Sequence, residues 1–173
     1  MNPTLTQNIT DLFIDQVNQK IGHEFIGKIK YCLSLLTEEE VWYQPNSHCN
    51  SVGVMILHLN GNVRQWVLSG ACGLADHRDR PAEFYPESQV NKNELIKMMD
   101  ALANDLDHHL PQIKPENLIA CKDVQCYNET VLAMLMHATE HFSYHTGQII
   151  YLTKLLKDMD TGFYADLDLE KTN

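Results

Sequence analysis

No stretch of this chain is both long enough and apolar enough to span a bilayer, because its apolar runs are short and broken by polar residues. Basic clusters are missing too. Thirteen Lys and Arg stand against 23 Asp and Glu, a formal net charge of −10. Such a chain repels phosphate backbones and anionic lipid, so neither nucleic acid nor membrane is expected as a partner. The opening residues MNPTLTQNIT contain no basic segment followed by an apolar one. No secretory signal is therefore expected, and the chain reads as cytoplasmic. Cysteines are few and odd in number, five, with no C-x-x-C spacing. Cys121 and Cys126 are wrongly spaced for a zinc knuckle, and reduced thiols are the expected state. Alternation at period two is lacking, so no strand is predicted.

What the chain does contain is helical periodicity. Ile9, Phe13, Val17, Ile21, Phe25, Ile29, Cys32 and Leu36 recur at three- and four-residue steps and predict a long first helix over 5–36. Thr37 followed by three glutamates is a capping box for a short extra helical turn near 38–43, stopped before Pro45. Ser51 caps a second helix running to about Ser69, with Met55, Ile56, Leu59, Val63 and Trp66 on its inner stripe and Gly70 and Gly73 ending it. Asn91 and Glu94 open a third, which closes with His108 and His109 before Pro111. The fourth is predicted to start after Asn128 and continue to about Lys157, leaving a loosely held acidic tail. Four amphipathic helices in 173 residues fit one domain over 1–173, an all-α four-helix bundle.

The fourth helix carries the segment HATEHFSYHTGQ, with histidines at 137, 141 and 145. Rotating about 100° per residue puts His145 inside the apolar sector, His141 at its edge and His137 toward solvent. Residues four apart are about 6 Å apart along the axis, whereas residues eight apart are about 12 Å apart. His141 and His145 therefore suit one ion, and His137 reads as a bystander. No H-E-x-x-H glutamate lies between them. A bundle completes such a site from a facing helix. His23, His58, His108 and His109 are the available donors, and His58 stands out in mid-helix, with Asn62 one turn on and nearer the core. The competing reading is a metal-free bundle whose histidines are hydrogen-bonded in its core. Gln148 and Asn62 are candidates to orient an imidazole or a bound water, or else simple interhelical hydrogen-bonders. Glu140 and Tyr144 point away from the core.

GVMILHLNGNVRQW, HRDRPAEF and HATEHFSYHTGQIIYLTKLL together resemble the DinB/YfiT-like superfamily of metal-binding four-helix bundles, in a branch known only as a domain of unknown function. The likeness runs from LTEEEVWYQPN to Lys157. It implies an up-down-down-up bundle, frequently dimeric, and places the superfamily's histidine triad on His58, His141 and His145. It also implies a divalent ion, nickel or zinc, with water in the remaining positions. Arg78, Arg80 and Glu83 match a family feature and read first as a structural ion-pair cluster. The resulting expectation is a metal-dependent enzyme, a thiol transferase or a hydrolase, acting on a small molecule such as a low-molecular-weight thiol. The alternative is a non-catalytic, metal-binding, stress-related homodimer. No segment matches thiol-cofactor recognition.

Overall fold

The computed structural model describes residues 3–171. Helix α1 (Pro3–Asn18) passes through a π-helical segment (Gln19–Phe25) into α2 (Ile26–Leu35). The turn α3 (Glu38–Val41) follows, then α4 (Val52–Val63), which continues as a second π-helical segment (Arg64–Ala71). Helix α5 (Arg80–Phe84) lies in the long loop, and α6 (Lys92–His109) ends in a 3₁₀ turn (Leu110–Gln112). Helix α7 (Pro115–Leu118), strands β1 (Cys121–Val124) and β2 (Tyr127–Thr130), and α8 (Val131–Lys157) complete the chain.

Side-chain oxygens start these elements by satisfying amides that have no intrahelical partner. Thr37 Oγ1 accepts from Glu40 N while Glu40 Oε2 accepts from Thr37 N, closing the expected capping box. Ser51 Oγ accepts from Val54 N, and Asn91 Oδ1 from Glu94 N. Helix α8 starts later than the sequence suggested, because Thr130 rather than Asn128 is its cap, accepting from Ala133 N.

Contacts along the helices define their directions. Phe25 stacks on Phe142 and Lys157 Nζ bonds Glu40, so the first and last helices run parallel. Asn18 and His23 reach Asp107 while Lys92 Nζ donates to the carbonyl of Leu36, so α6 runs opposite to the first helix. His58 meets His145 and Trp66 meets His137, so α4 runs opposite to α8. The result is an up-down-down-up, all-α bundle. Its core is the convergence of the four stripes: Ile21, Leu59, Leu102 and Phe142 are fully buried. Each such side chain contributes about 1.5–3 kcal/mol of burial.

The structure departs from the sequence reading in three places. Residues 121–130, where no strand was expected, form an antiparallel hairpin with Cys121 paired to Thr130 and Val124 to Tyr127. Its strands are too short to show alternation, and its turn uses Gln125 at φ 53° instead of a glycine signal. Ile9 is 58% exposed, and Thr10 and Ile14 take the inner positions before Val17. Ile9, Phe13 and Val17 are spaced by steps of four, which overrun the 3.6-residue turn by about 40° each, so within α1 (Pro3–Asn18) that spacing drifts off the inner face that Thr10, Ile14 and Val17 keep. In the tail, Phe163 packs edge-on against Tyr31 at 5.4 Å and Lys28 lies over the Tyr164 ring. No helix among the described residues is long and apolar enough to cross a membrane.

Candidate metal centre

Helices α4 and α8 bring His58, His141 and His145 together, with one ring nitrogen of each within 4.8 Å of the others. His58 Nε2 lies 3.1 Å from His141 Nε2. Helix α8 is α-helical throughout, so the rotation argument holds, and His141 and His145 both turn toward His58 on α4.

The remaining ring nitrogens show how the imidazoles are set. Glu83 Oε2 lies 2.9 Å from His58 Nδ1. A carboxylate only accepts, so Nδ1 carries the proton and Nε2 offers its lone pair. Arg78 Nη2 also approaches Nδ1, at 3.3 Å. With Nδ1 protonated, that contact is a by-product of the guanidinium's grip on Glu83, where Nε donates to Oε1 at 2.6 Å and Nη2 to Oε2 at 2.9 Å. Gln148 Oε1 accepts from His145 Nδ1 at 2.7 Å, which again leaves Nε2 free. Gln148 thus orients the imidazole of His145. Among the described residues, His141 Nδ1 and Asn62 Oδ1 are buried without a hydrogen-bond partner. Asn62 is therefore a core residue beside the cluster, and its oxygen holds no imidazole.

The surroundings favour the neutral form of His141 and His145 and the charged form of Glu83. Burial first, then the adjacent imidazoles of His145, His58 and His137, push His141 down to about 3. Burial also lowers His145, against the opposing hydrogen bond to Gln148. Burial works against the charge of Glu83, but the hydrogen bonds from Arg78 and His58 outweigh it and hold the carboxyl below its ordinary value.

The donor set fits a divalent first-row ion. Zinc held tetrahedrally about 2.0–2.1 Å from each imidazole nitrogen separates those nitrogens by about 3.3–3.4 Å, close to the spacing of the facing Nε2 atoms. A carboxylate behind a ligating imidazole is the usual outer support of such sites.

Sequence reasoning took Arg78, Arg80 and Glu83 as one ion-pair cluster and missed what it supports. Arg80 is outside the pair and lies over the Phe84 ring at 4.9 Å. Glu83 is the link to His58, and Gly61 makes room for it. A Cβ at Gly61 would sit 1.9 Å from Glu83 Oε1. The glycine inside LHLNGNV was the available signal, since a mid-helix glycine costs about 1 kcal/mol unless close packing requires it. Gly61→Ala is accordingly expected to destabilise by about 1–3 kcal/mol through overpacking. Gly27→Ala, where nothing lies within 4 Å, is expected to stabilise by up to about 1 kcal/mol. Urea unfolding of both variants checks the opposite signs; a stabilised Gly61→Ala would show that Glu83 moves freely. His137 packs tilted against Trp66 at 4.1 Å and near-parallel to His141 at 5.7 Å, outside the triad.

The sequence profile of a family described as "Protein of unknown function (DUF1572)" matches residues 8–165. Among solved structures, the crystal structure of a DinB-like protein, YjoA from Bacillus subtilis, superposes with a TM-score of 0.63 over 86% of this chain and 97% of that chain. At 15% identity, that likeness speaks to the fold alone. None of the curated proteins compared matches this chain.

Proposed function

The chain belongs to the DUF1572 family of proteins of unknown function, and from that premise we propose that it is a divalent-metal-dependent enzyme acting on a small molecule. The ion, nickel or zinc, is held by His58, His141 and His145. The observation that carries this reading is the convergence of three imidazole nitrogens within 4.8 Å, one of them backed by a buried carboxylate. When bound, an ion on three neutral imidazoles keeps a position for water or a thiol and lowers its pKa.

The chain's own residues set the conditions for that chemistry. Glu83 and Gln148 hold the imidazoles of His58 and His145 in the tautomer that presents Nε2. Arg78 keeps Glu83 charged, so that it stays an acceptor. The nucleophile is a low-molecular-weight thiol in a transferase or water in a hydrolase, and the working unit is a homodimer. In the competing reading the ion only braces a non-catalytic dimer. The catalytic reading is preferred because His145 lines a cleft of about 680 Å³, whereas structural ions are enclosed by protein ligands.

The test uses protein purified without a histidine tag. Elemental analysis is expected to find about one equivalent of metal per chain, and the cobalt-substituted protein is expected to change its visible spectrum when thiols are added. A metal-free protein that takes up no cobalt would sink the proposal. A cobalt spectrum that no thiol and no change of pH can move would remove the open position and leave the bracing role.

A further inference from the structure

Two clefts flank the histidine cluster, and they differ in chemistry. The one of about 570 Å³ runs beside Glu83 and is lined by Arg64, Asp76, Arg78 and Asp79. Its cations are engaged: Arg64 pairs with Asp105, and Arg78 with Glu83. None of the three histidines lines it. The cleft of about 680 Å³ has His145 and Gln148 on its wall, with Met55, Tyr144, Tyr151 and Leu155 around them. No Asp, Glu, Lys or Arg lines it.

Its wall has the character of a small-molecule site. Tyr144, Tyr151 and Leu155 are 64%, 71% and 62% exposed and line the cleft from α8, with the Tyr144 ring edge-on to His145 at 5.1 Å. Exposed aromatic and aliphatic groups gathered beside a few polar ones mark a binding surface. The opposite wall is a loop held in place before any ligand arrives. Gln44 Nε2 donates to the carbonyl of Cys49, and Asn46 Oδ1 accepts from His48 N. A carboxylate entering here would meet no guanidinium or ammonium group, and the imidazoles of His48 and His145 are the basic side chains on the wall.

The geometry points to this cleft as the seat of an uncharged, ring-bearing small molecule whose reactive group is presented at His145. The inference rests on the metal reading above and adds the substrate class to it. It separates the protein from enzymes that grip an anionic thiol cofactor by its carboxylates. Aromatic rings stack on Tyr144 and Tyr151, and Leu155 closes the outer end.

The probes are phenylmethanethiol and 4-(mercaptomethyl)benzoate, which share thiol and ring and differ by one carboxylate. Both are titrated against the cobalt-loaded protein by visible absorption, and against the metal-free protein by thermal shift. The neutral thiol is expected to bind about tenfold or more tightly than the carboxylate. Leu155→Lys, at an exposed position, is expected to narrow or reverse that ratio while leaving cobalt uptake unchanged. Equal or tighter binding of the carboxylate by the unsubstituted protein overturns the inference. So does a ratio that ignores Leu155→Lys, or failure of phenylmethanethiol to bind either form. If cobalt is not taken up but the thermal-shift preference persists, the metal reading fails and the cleft assignment stands.

Discussion

Glu83→Ala is expected to lower the stability of the fold by about 3–5 kcal/mol. The reason lies in what the substitution leaves behind. The Arg78 side chain is 2% exposed and its guanidinium cannot shed its proton, so it stays charged and dry with both of its bonds to the carboxylate gone. His58 loses the acceptor of its Nδ1 proton in the same step. Urea unfolding is the measurement, read as a fall in the midpoint with an unchanged slope. The double variant Arg78→Met/Glu83→Leu is expected to recover most of the loss, because it removes the uncompensated charge and refills the volume. As a control, Arg64→Ala breaks the Arg64–Asp105 pair, whose side chains are both 40% exposed; its cost is expected to stay within about 1 kcal/mol. A loss below about 1 kcal/mol for Glu83→Ala would mean that water reaches Arg78 and that the pair is no more than a surface bridge.

The second large effect concerns the histidines themselves. His141→Ala is expected to abolish stoichiometric binding of zinc, cobalt or nickel, weakening it by well over the about 10–100-fold that loss of an outer support costs. His137→Ala, one turn back on the same helix, is expected to leave uptake intact, since its ring packs against Trp66 and lies outside the triad. Elemental analysis of the two purified variants gives the answer directly. Thermal unfolding gives a second reading. Metal at about 1,000 times its dissociation constant stabilises a folded protein by about 4 kcal/mol, and His141→Ala is expected to show none of that gain. Uptake that survives in His141→Ala, or fails in His137→Ala, would place the ion elsewhere on the histidine ladder.

The two variants bracket how much of this site can be read along one helix. The unequal roles of His137, His141 and His145 follow from a rotation and a rise, and both are constants of the α-helix. Caps at Thr37, Ser51 and Asn91 are equally local, each an oxygen reaching an amide three residues on. The reading failed where a neighbour in space, or a change of helix type, entered. The first stripe drifted within α1, because successive steps of four overrun the 3.6-residue turn, so Ile9 was assigned to the core although it is exposed. Gln148 was a candidate to orient an imidazole, and only the fold shows that the imidazole is that of His145. The hairpin at 121–130 has no periodicity to betray it, since its pairing is stabilised by packing beneath the bundle end.

By itself the sequence determined four helices, most of their inward faces, and the inward pair His141 and His145, because these depend on interactions within a few residues. The resemblance to a known superfamily suggested His58 as the third partner. Only the tertiary structure decided that His58 Nε2 comes to 3.1 Å from a nitrogen 83 residues away, and that Glu83, held by Arg78 in the gap left by Gly61, stands behind it. Distances between helices are set by how whole stripes of side chains interlock, and no repeat within one helix encodes them. The same packing left a cleft beside His145 that no Asp, Glu, Lys or Arg lines.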